Sequence, residues 1–373
     1  MSIYPGLIES HAHVGLPAAG EEGEAAGPGH WNPYVRAQVR ALELYAPGEE
    51  DLQKLRKLGF TAALLVPRQG LFHGTSDLVS LGTPSGHVVR RQVAQHLVLK
   101  AMGEYPQSLM GAIALARQTF LDAQWYGSAH AAYAKKPKGQ TPPQTDRALE
   151  ALASVIQGEQ PLAVEAEDEL ALLRAARLAD EFGLELWVRG SGREYRQLEL
   201  IKAVGAPLFL PLNFPPAPRV DDPEAALAVD LAVLQHWEAA PENPALLHRA
   251  GVPFALTSAT LKKPADFPQK VRQAIERGLP KEAALAALTT VPAEWLGVAD
   301  RLGTIEVGKL AHLVVTEGEL FGKKSKVIDV WVDGKRYQVG EKSKVDPRGT
   351  WQLSLALPDS ALEVELKLEG EVG

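Results

Sequence analysis

Short apolar runs alternate with amphipathic stretches from residue 3 to about residue 300. Runs at Ile3–Ile8, Thr61–Val66, His96–Met102, Pro161–Ala166, Leu184–Arg189, Pro207–Leu212 and Val252–Thr257 are β-branched or leucine-rich, and predict strands covered on both faces. The stretches between them carry helix punctuation. Asp168–Phe182 lines up Leu170, Leu173, Ala176 and Leu178 and stops at Gly183, a residue suited to a left-handed C-cap. Asp222–Pro223–Glu224 starts another helix, with proline at its first position and acids near the positive end of the dipole; Leu227, Leu231 and Leu234 follow at helical spacing. Gly111–Ala134, Pro264–Arg277 and Lys281–Thr290 complete the helical set. This alternation predicts β/α units around a parallel sheet. Seven strands are readable; an eighth, unplaced, is expected near either end of Gly111–Ala134.

After Gly303 the pattern becomes all-β. Thr304–Glu306, Leu313–Thr316, Val327–Val332 and Lys335–Val339 read as short strands, with turns at Gly308–Lys309 and at Asp333–Gly334, the latter a strong hairpin signal. Two further alternating runs, WQLSLAL and ALEVELKL, are split by Pro358–Asp359. The segments Gly20–Gly29 and Lys135–Thr145 are polar and rich in Gly or Pro, and are expected to be mobile. No repeat of 20–50 residues is present.

Composition narrows the chemistry more than the fold. The chain has no cysteine, which excludes disulfides, thiolate metal sites and cysteine nucleophiles. Any metal must sit on imidazole, carboxylate, carbonyl or water. A net charge of −7 argues against a polyanion partner, and KKPK at 135–138 is a short solvated run. The first residues show no basic segment followed by an apolar core, and no 18-residue apolar stretch exists. The expectation is a soluble, cytoplasmic protein with a small-molecule substrate, no nucleic-acid or membrane partner, and homo-oligomerisation left open.

His11 and His13 are the first chemical constellation. They lie two apart just beyond the first strand, so an extended backbone points both imidazoles to one side, where they can bind a divalent cation, Zn²⁺ first among candidates. The bland alternative is a pair of loop histidines with no ligand. Arg117, Gln118 and Asp122 lie at helical spacing; Arg117 is a candidate substrate contact, against a solvated polar cluster. GSGRE at 190–194 is a weak phosphate-loop signal. No Gly-x-Ser-x-Gly elbow or paired-carboxylate motif appears, so no catalytic residue is assigned.

The ends of the chain add a resemblance. PGLIESHAH at the start, with VPAEWLG and RLGTIEVGKLAHLVV late in the chain, resembles the amidohydrolase superfamily, most nearly its imidazolonepropionase-related branch. The resemblance implies a (β/α)8 TIM-type barrel that hydrolyses C–N bonds with metal-activated water. By position, His11 and His13 would be metal ligands and Glu9 a supporting acid. The family's later ligands are not matched: Thr257–Ser258 stands where an eighth-strand Asp is expected, and Leu184–Arg189 ends without a histidine; His312 replaces a linker Asp at a place remote from the metal. Glu165, closing Pro161–Ala166, is the remaining ligand candidate, completing a His₂Glu set, against a helix-capping role. His73 falls on the expected active face as a substrate contact. Lys100 reads as a snorkelling lysine, and His30, His87, His96, His130, His236 and His248 carry less weight.

The expected organisation is a barrel over 1–302, a small β-sandwich segment over 303–340 and a partial β extension over 341–373. Few residues precede His11, so the late strands are expected to lack partners unless the C-terminal tail supplies them. Two functions remain: a hydrolase of amide or cyclic amide C–N bonds, or a catalytically inactive barrel that has lost its metal and serves as a binding or scaffold module.

Overall fold

Each of the seven apolar runs holds a strand in the computed structural model, which describes residues 1–18, 21, 28–83, 87–341, 349–357 and 360–369. Most of the Gly20–Gly29 loop and the Pro358–Asp359 turn lie outside those residues. Ile3–Ile8 is divided at Gly6 into β1 (Ser2–Pro5) and β2 (Leu7–Ala12). A Cβ at Gly6 would sit 2.2 Å from Thr61 Oγ1, so the close approach of the chain there requires glycine. There follow β3 (Phe60–Leu65), β4 (Phe72–Thr75), β5 (Asp77–Ser80), β6 (Val88–Arg90), β7 (Gln95–Val98), β8 (Leu162–Glu165) and β9 (Leu186–Arg189). Strands β10 (Leu208–Pro211), β11 (Phe254–Thr257), β12 (Leu313–Glu317), β13 (Lys326–Val332) and β14 (Lys335–Gln338) complete the unit Met1–Val339.

The fold is mixed α/β. Strands β11, β10, β9, β8 and β7 run parallel in one sheet, and β4 joins its edge antiparallel to β7. A second sheet has the order β2-β3-β5-β6, with β2 parallel to β3 and the other pairings antiparallel. The ring of eight parallel strands expected from the sequence is therefore not what the hydrogen bonding gives. No helix lies between β3 and β5 to carry a parallel crossover, and the two pair antiparallel, as β4 does with β7. Ser76 alone separates β4 from β5, and its N–H donates to Ala94 O, so this run passes from one sheet to the other. At the opposite edges, Leu256 N–H donates to Ala287 O and Ile8 N–H to Leu288 O. No further strand lies near either end of Gly111–Ala134 among the described residues; Ala287 and Leu288 instead link β11 to β2.

Alternation sorts the side chains. Leu97, Leu162, Val164, Leu186, Val188, Leu208 and Leu210 pack outward with helix residues such as Leu115, Phe120 and Leu172. Ile8, Leu64, Ala163, Trp187, Phe209 and Ala255 form a separate cluster on the other face, joined by Ala293, Leu296, Val298 and Leu302. Residues two positions beyond Ala163 and Trp187 share that inner face. Helix punctuation behaves as read: Asp168 caps Glu169–Phe182 through Ala171 N–H, and Gly183 is left-handed at φ 65°. Asp222 caps Pro223–Leu227 likewise, but that helix and Leu231–Ala239 bury no residue. No helix among the described residues is long and apolar enough to cross a membrane.

The late strands form one antiparallel sheet, β1-β12-β13-β14, rather than a sandwich, and Thr304–Glu306 is not a strand. Their expected missing partner is β1, whose residues Ser2–Pro5 pair with Thr316–Leu313. The Asp333–Gly334 hairpin turn has φ values of 50° and 80°, as a two-residue turn with both centres left-handed requires. Asp333 anchors this sheet to β5: it accepts from Ser80 Oγ at 2.6 Å, and lies 3.0 Å from both His87 Nδ1 and His312 Nε2. Burial pushes its carboxyl up, but the bonds from His312, Ser80 and His87 outweigh that and hold it well below its ordinary range. A depressed carboxylate contributes stability that is present above its unfolded value and lost as pH falls toward the folded one. With partial solvent access discounted, Asp333→Asn is expected to cost about 1–2 kcal/mol at pH 7. It should also flatten the fall in melting temperature below about pH 4. An unchanged acid limb would refute this anchor.

The unit Gly340–Gly373 contains β15 (Gly349–Leu357) and β16 (Ser360–Leu368), an antiparallel hairpin in register from Gly349↔Leu368 to Leu357↔Ser360.

Candidate active site

Six side chains meet on the inner face: His11 on β2, His13 one residue past it, His73 on β4, His96 within β7, Glu165 closing β8 and Arg189 closing β9. Glu165 is the hub. Its Oε1 lies 3.6 Å from His11 Nε2 and 3.5 Å from His73 Nδ1, and its Oε2 accepts from Arg189 Nη2 at 2.8 Å. Parallel register places Glu165 and Arg189 directly side by side. The His11 ring lies 5.2 Å from that of His13 and 6.0 Å from that of His96, edge-on in both cases. His11, His96, Glu165, Arg189, Ser10 and Trp187 border a cavity of about 10 Å³, room for roughly one water.

The electrostatics follow from burial. Desolvation drives His11 well below its ordinary value, outweighing the attraction of Glu165, and lowers His13 and His73 in the same way. His96 is pushed down to about 3. Burial thus favours the neutral form of each. Burial alone would raise the Glu165 carboxyl, but His11, Arg189, His73 and His13 together hold it far below the usual range. Of these four neighbours, Arg189 is the one whose charge does not depend on pH.

Tautomers are partly fixed by partners. His13 Nδ1 is 2.7 Å from Val66 O, an acceptor only, so Nδ1 carries the proton and Nε2 keeps its lone pair. The His73 ring bonds the Pro67 carbonyl, yet its Nδ1 has no hydrogen-bond partner. Neither nitrogen of His96 has one. Buried polar atoms left unpaired cost free energy, so a cluster of them implies a return other than packing.

Glu9 supports the site from beside it. Its Oε1 accepts from His11 N–H and Thr257 Oγ1, and its Oε2 from Ser258 N–H at 2.9 Å and Ser258 Oγ at 2.5 Å. Thr257 and Ser258, standing where the resemblance led us to expect an Asp, thus present hydroxyls to a carboxylate borne by β2.

Of the residues singled out in the sequence, His11, His13, Glu165 and His73 are brought together. Arg117 is not. It lies exposed on the helix Leu109–Lys135, bonded to Glu181 through Nε at 3.0 Å and Nη2 at 2.6 Å, because that turn of the helix faces its neighbour Glu169–Phe182 rather than the strand ends. Gln118 and Asp122 bond each other on the same exposed helix. In GSGRE, the Ser191 and Gly192 N–H groups that a phosphate cradle would need are taken by Glu194 Oε1. His312 serves the Asp333 anchor. His96 and Arg189 are the members that sequence reading passed over. A larger surface hollow of about 670 Å³, bordered by Tyr195, Arg196, Gln235 and Glu238, contains no member of the cluster.

Imidazole lone pairs around one ionised carboxylate are suitable donors for a divalent ion. As placed, however, among the described residues no group of three or more His, Asp or Glu is arranged to hold one.

A mixed α/β fold with histidines and a carboxylate at strand ends defines a class of architecture, and known proteins narrow it. The structure is similar to an amidohydrolase from Thermotoga maritima MSB8, with a TM-score of 0.72 and 23% identity over 90% of this chain and 87% of that one. It is also similar to an uncharacterized protein, at a TM-score of 0.50 and 18% identity over 90% and 86%. Residues 240–337 match the Amidohydrolase family. "Amidohydrolase tasK" of Hapsidospora irregularis is 46% identical over 57 residues, which are 15% of this chain and 6% of that protein's length.

Proposed function

We propose that the protein is an amidohydrolase-like hydrolase that cleaves a non-peptide C–N bond of a small molecule, at a site where His11, His13 and Glu165 hold one divalent ion. The observation that carries this reading is the cluster of imidazoles around the single carboxylate of Glu165, in which His73 Nδ1 and both His96 nitrogens are buried without a partner. Donor atoms sharing a tetrahedral ion with bonds near 2.1 Å stand roughly 3.3 Å apart. The 3.6 Å separation of His11 Nε2 from Glu165 Oε1 is close to that edge length. Neutral imidazoles are the form that binds a cation, and burial keeps them so.

Such an ion supplies Lewis acidity and makes bound water more acidic. The chain's own residues do the rest. Val66 O fixes the His13 tautomer, and Glu9 fixes the backbone at His11. His73, neutral and with Nδ1 unpaired beside Glu165, is placed to accept a proton from water, a role the hydroxyls of Thr257 and Ser258 cannot fill. The inner-face walls Trp187 and Phe209 keep bulk water out. Ends that resemble the imidazolonepropionase-related branch favour a cyclic amide as substrate, with Zn²⁺ as the ion and the whole of 1–302 as the catalytic barrel.

A second reading, a barrel that has lost its metal and serves as a binding module, is favoured by the Glu165–Arg189 pair and the lack of a ready-formed ligand set. Elemental analysis of the purified chain separates the two. One Zn²⁺ per chain is expected, falling to none in His11→Ala and Glu165→Ala. A metal-free protein whose melting temperature ignores chelator would overturn the hydrolase reading.

A further inference from the structure

Arg189 has no part in the chemistry above, yet it sits at the centre of the cluster. Its guanidinium is buried at the end of β9, with Nη2 on Glu165 Oε2 at 2.8 Å, Nη1 3.3 Å from Gly190 O and Nε without a partner. The register of β8 against β9 makes this pairing a property of the fold rather than of a mobile side chain, since Glu165 and Arg189 are adjacent across the ladder. Both follow cavity-lining residues, Ala163 and Trp187, by two positions, so both point to the same face.

Glu165 brings a negative charge to the cluster, and Arg189, paired to it at 2.8 Å, offsets that charge. A cation entering the cavity gains the attraction of Glu165 only to the extent that Arg189 gives it up. It also meets a like charge a few ångströms away in a poorly screened interior, where such interactions change affinity by an order of magnitude or more. One carboxylate oxygen, Oε2, is already taken, which leaves Oε1 as the open donor.

We propose that Arg189 sets the site's affinity for a divalent cation by competing with that cation for Glu165, so that the ion is held less tightly than the donors alone would hold it. This rests on the reading that the cluster is a cation site, and it explains why the donors are gathered but not closed into a ready-made cage.

The test is calorimetric titration of ZnCl2 into the chelator-stripped full chain, with folding of each variant checked by near-UV circular dichroism. Arg189→Met is expected to tighten Zn²⁺ binding by about tenfold or more. Arg189→Gln, which keeps a donor to Glu165 but removes the charge, should give a similar gain and serves if the methionine variant misfolds. Arg189→Lys, which keeps the charge, should stay within about threefold of the native chain. Adding Glu165→Gln to Arg189→Met should erase the gain. Charge-removing variants that fold but bind no more tightly than the native chain would overturn the proposal while leaving the metal reading intact. Uptake by Arg189→Met or Arg189→Gln without uptake by the native chain would support the proposal and remove the hydrolase reading. No uptake by any of them would end both.

Discussion

Replacing Gly74 by alanine is expected to destabilise the protein by about 3–5 kcal/mol. Gly74 follows His73 on β4 at φ 110°, a conformation that L side chains rarely adopt. An added Cβ would stand 2.3 Å from Val39 O and 2.9 Å from Val39 C. That neighbour is backbone, held in place because Val39 O accepts from Thr75 N–H at 2.8 Å, so relief requires parting two chain segments and breaking the bond. The strain and the clash add at one residue. Gly139→Ala, at φ 79° but with nothing within 4 Å, carries the strain alone and should cost about 1 kcal/mol. Urea unfolding of both variants measures the difference. Because His73 is the next residue along the chain, Gly74→Ala should also weaken any cation uptake, whereas Gly139→Ala should not. Equal stability losses would show that the close approach at Val39 is unimportant.

Seven strands were legible because each run is apolar and, apart from the β1 part of Ile3–Ile8, largely buried on both sides, as LAVE and FALT are. The strand run Phe72–Ser80 was not, because its sequence is half polar. His73, Thr75, Ser76, Asp77 and Ser80 are buried there, and hydrogen bonds rather than apolar contacts satisfy most of them. Thr75 Oγ1 donates to Gln95, Ser76 Oγ to Ala94 O, and Asp77 accepts from Leu42 N–H and Gln92 N–H. A hydrophobicity pattern cannot report a strand whose interior is polar, and a polar interior is what surrounds the candidate site. The opposite error occurs at Leu227 and Leu231, which keep helical spacing but are exposed. Periodicity shows that a stripe exists and not what covers it.

The site divides along the same line. His11 and His13 were readable as two imidazoles just past a strand, and Glu165 as an acid ending one. His96 lies inside β7, where a histidine in an apolar run resembles a core residue until its two unpaired nitrogens are seen. Arg189 was available to the alternation rule, since it stands two positions beyond Trp187 and ends an apolar strand. Its significance depends on pairing with Glu165, and register between strands is a tertiary fact. Arg117 failed for the converse reason: spacing put it on a helix face shared with Gln118 and Asp122, and only the fold shows that face turned toward solvent and Glu181.

Glu9→Ala is expected to cost about 3–5 kcal/mol, the range for breaking a buried charged network from one side. The carboxylate is fully buried and receives two backbone N–H groups, from His11 and Ser258, and two hydroxyls, from Thr257 and Ser258. Hydroxyls can rotate to new partners, whereas the N–H groups cannot. Truncation therefore strands both donors beside a new cavity and loosens the backbone that aims His11. Glu9→Gln should cost less, about 1–3 kcal/mol. Its amide can donate to Thr257 as a protonated acid would, but the nitrogen has no lone pair left for His11 N–H. Burial pushes the Glu9 carboxyl up, against the lowering effect of those four bonds. A raised carboxyl contributes stability that is complete below its unfolded value of 4.5 and is lost as pH rises through the folded one. The native chain should thus lose part of its margin over Glu9→Gln as pH climbs above about 5. Denaturant unfolding of the three chains at several pH values measures both effects. A Glu9→Ala chain as stable as the native one, with His11 still oriented for cation uptake, would show that β2 and β11 are held in place without this carboxylate.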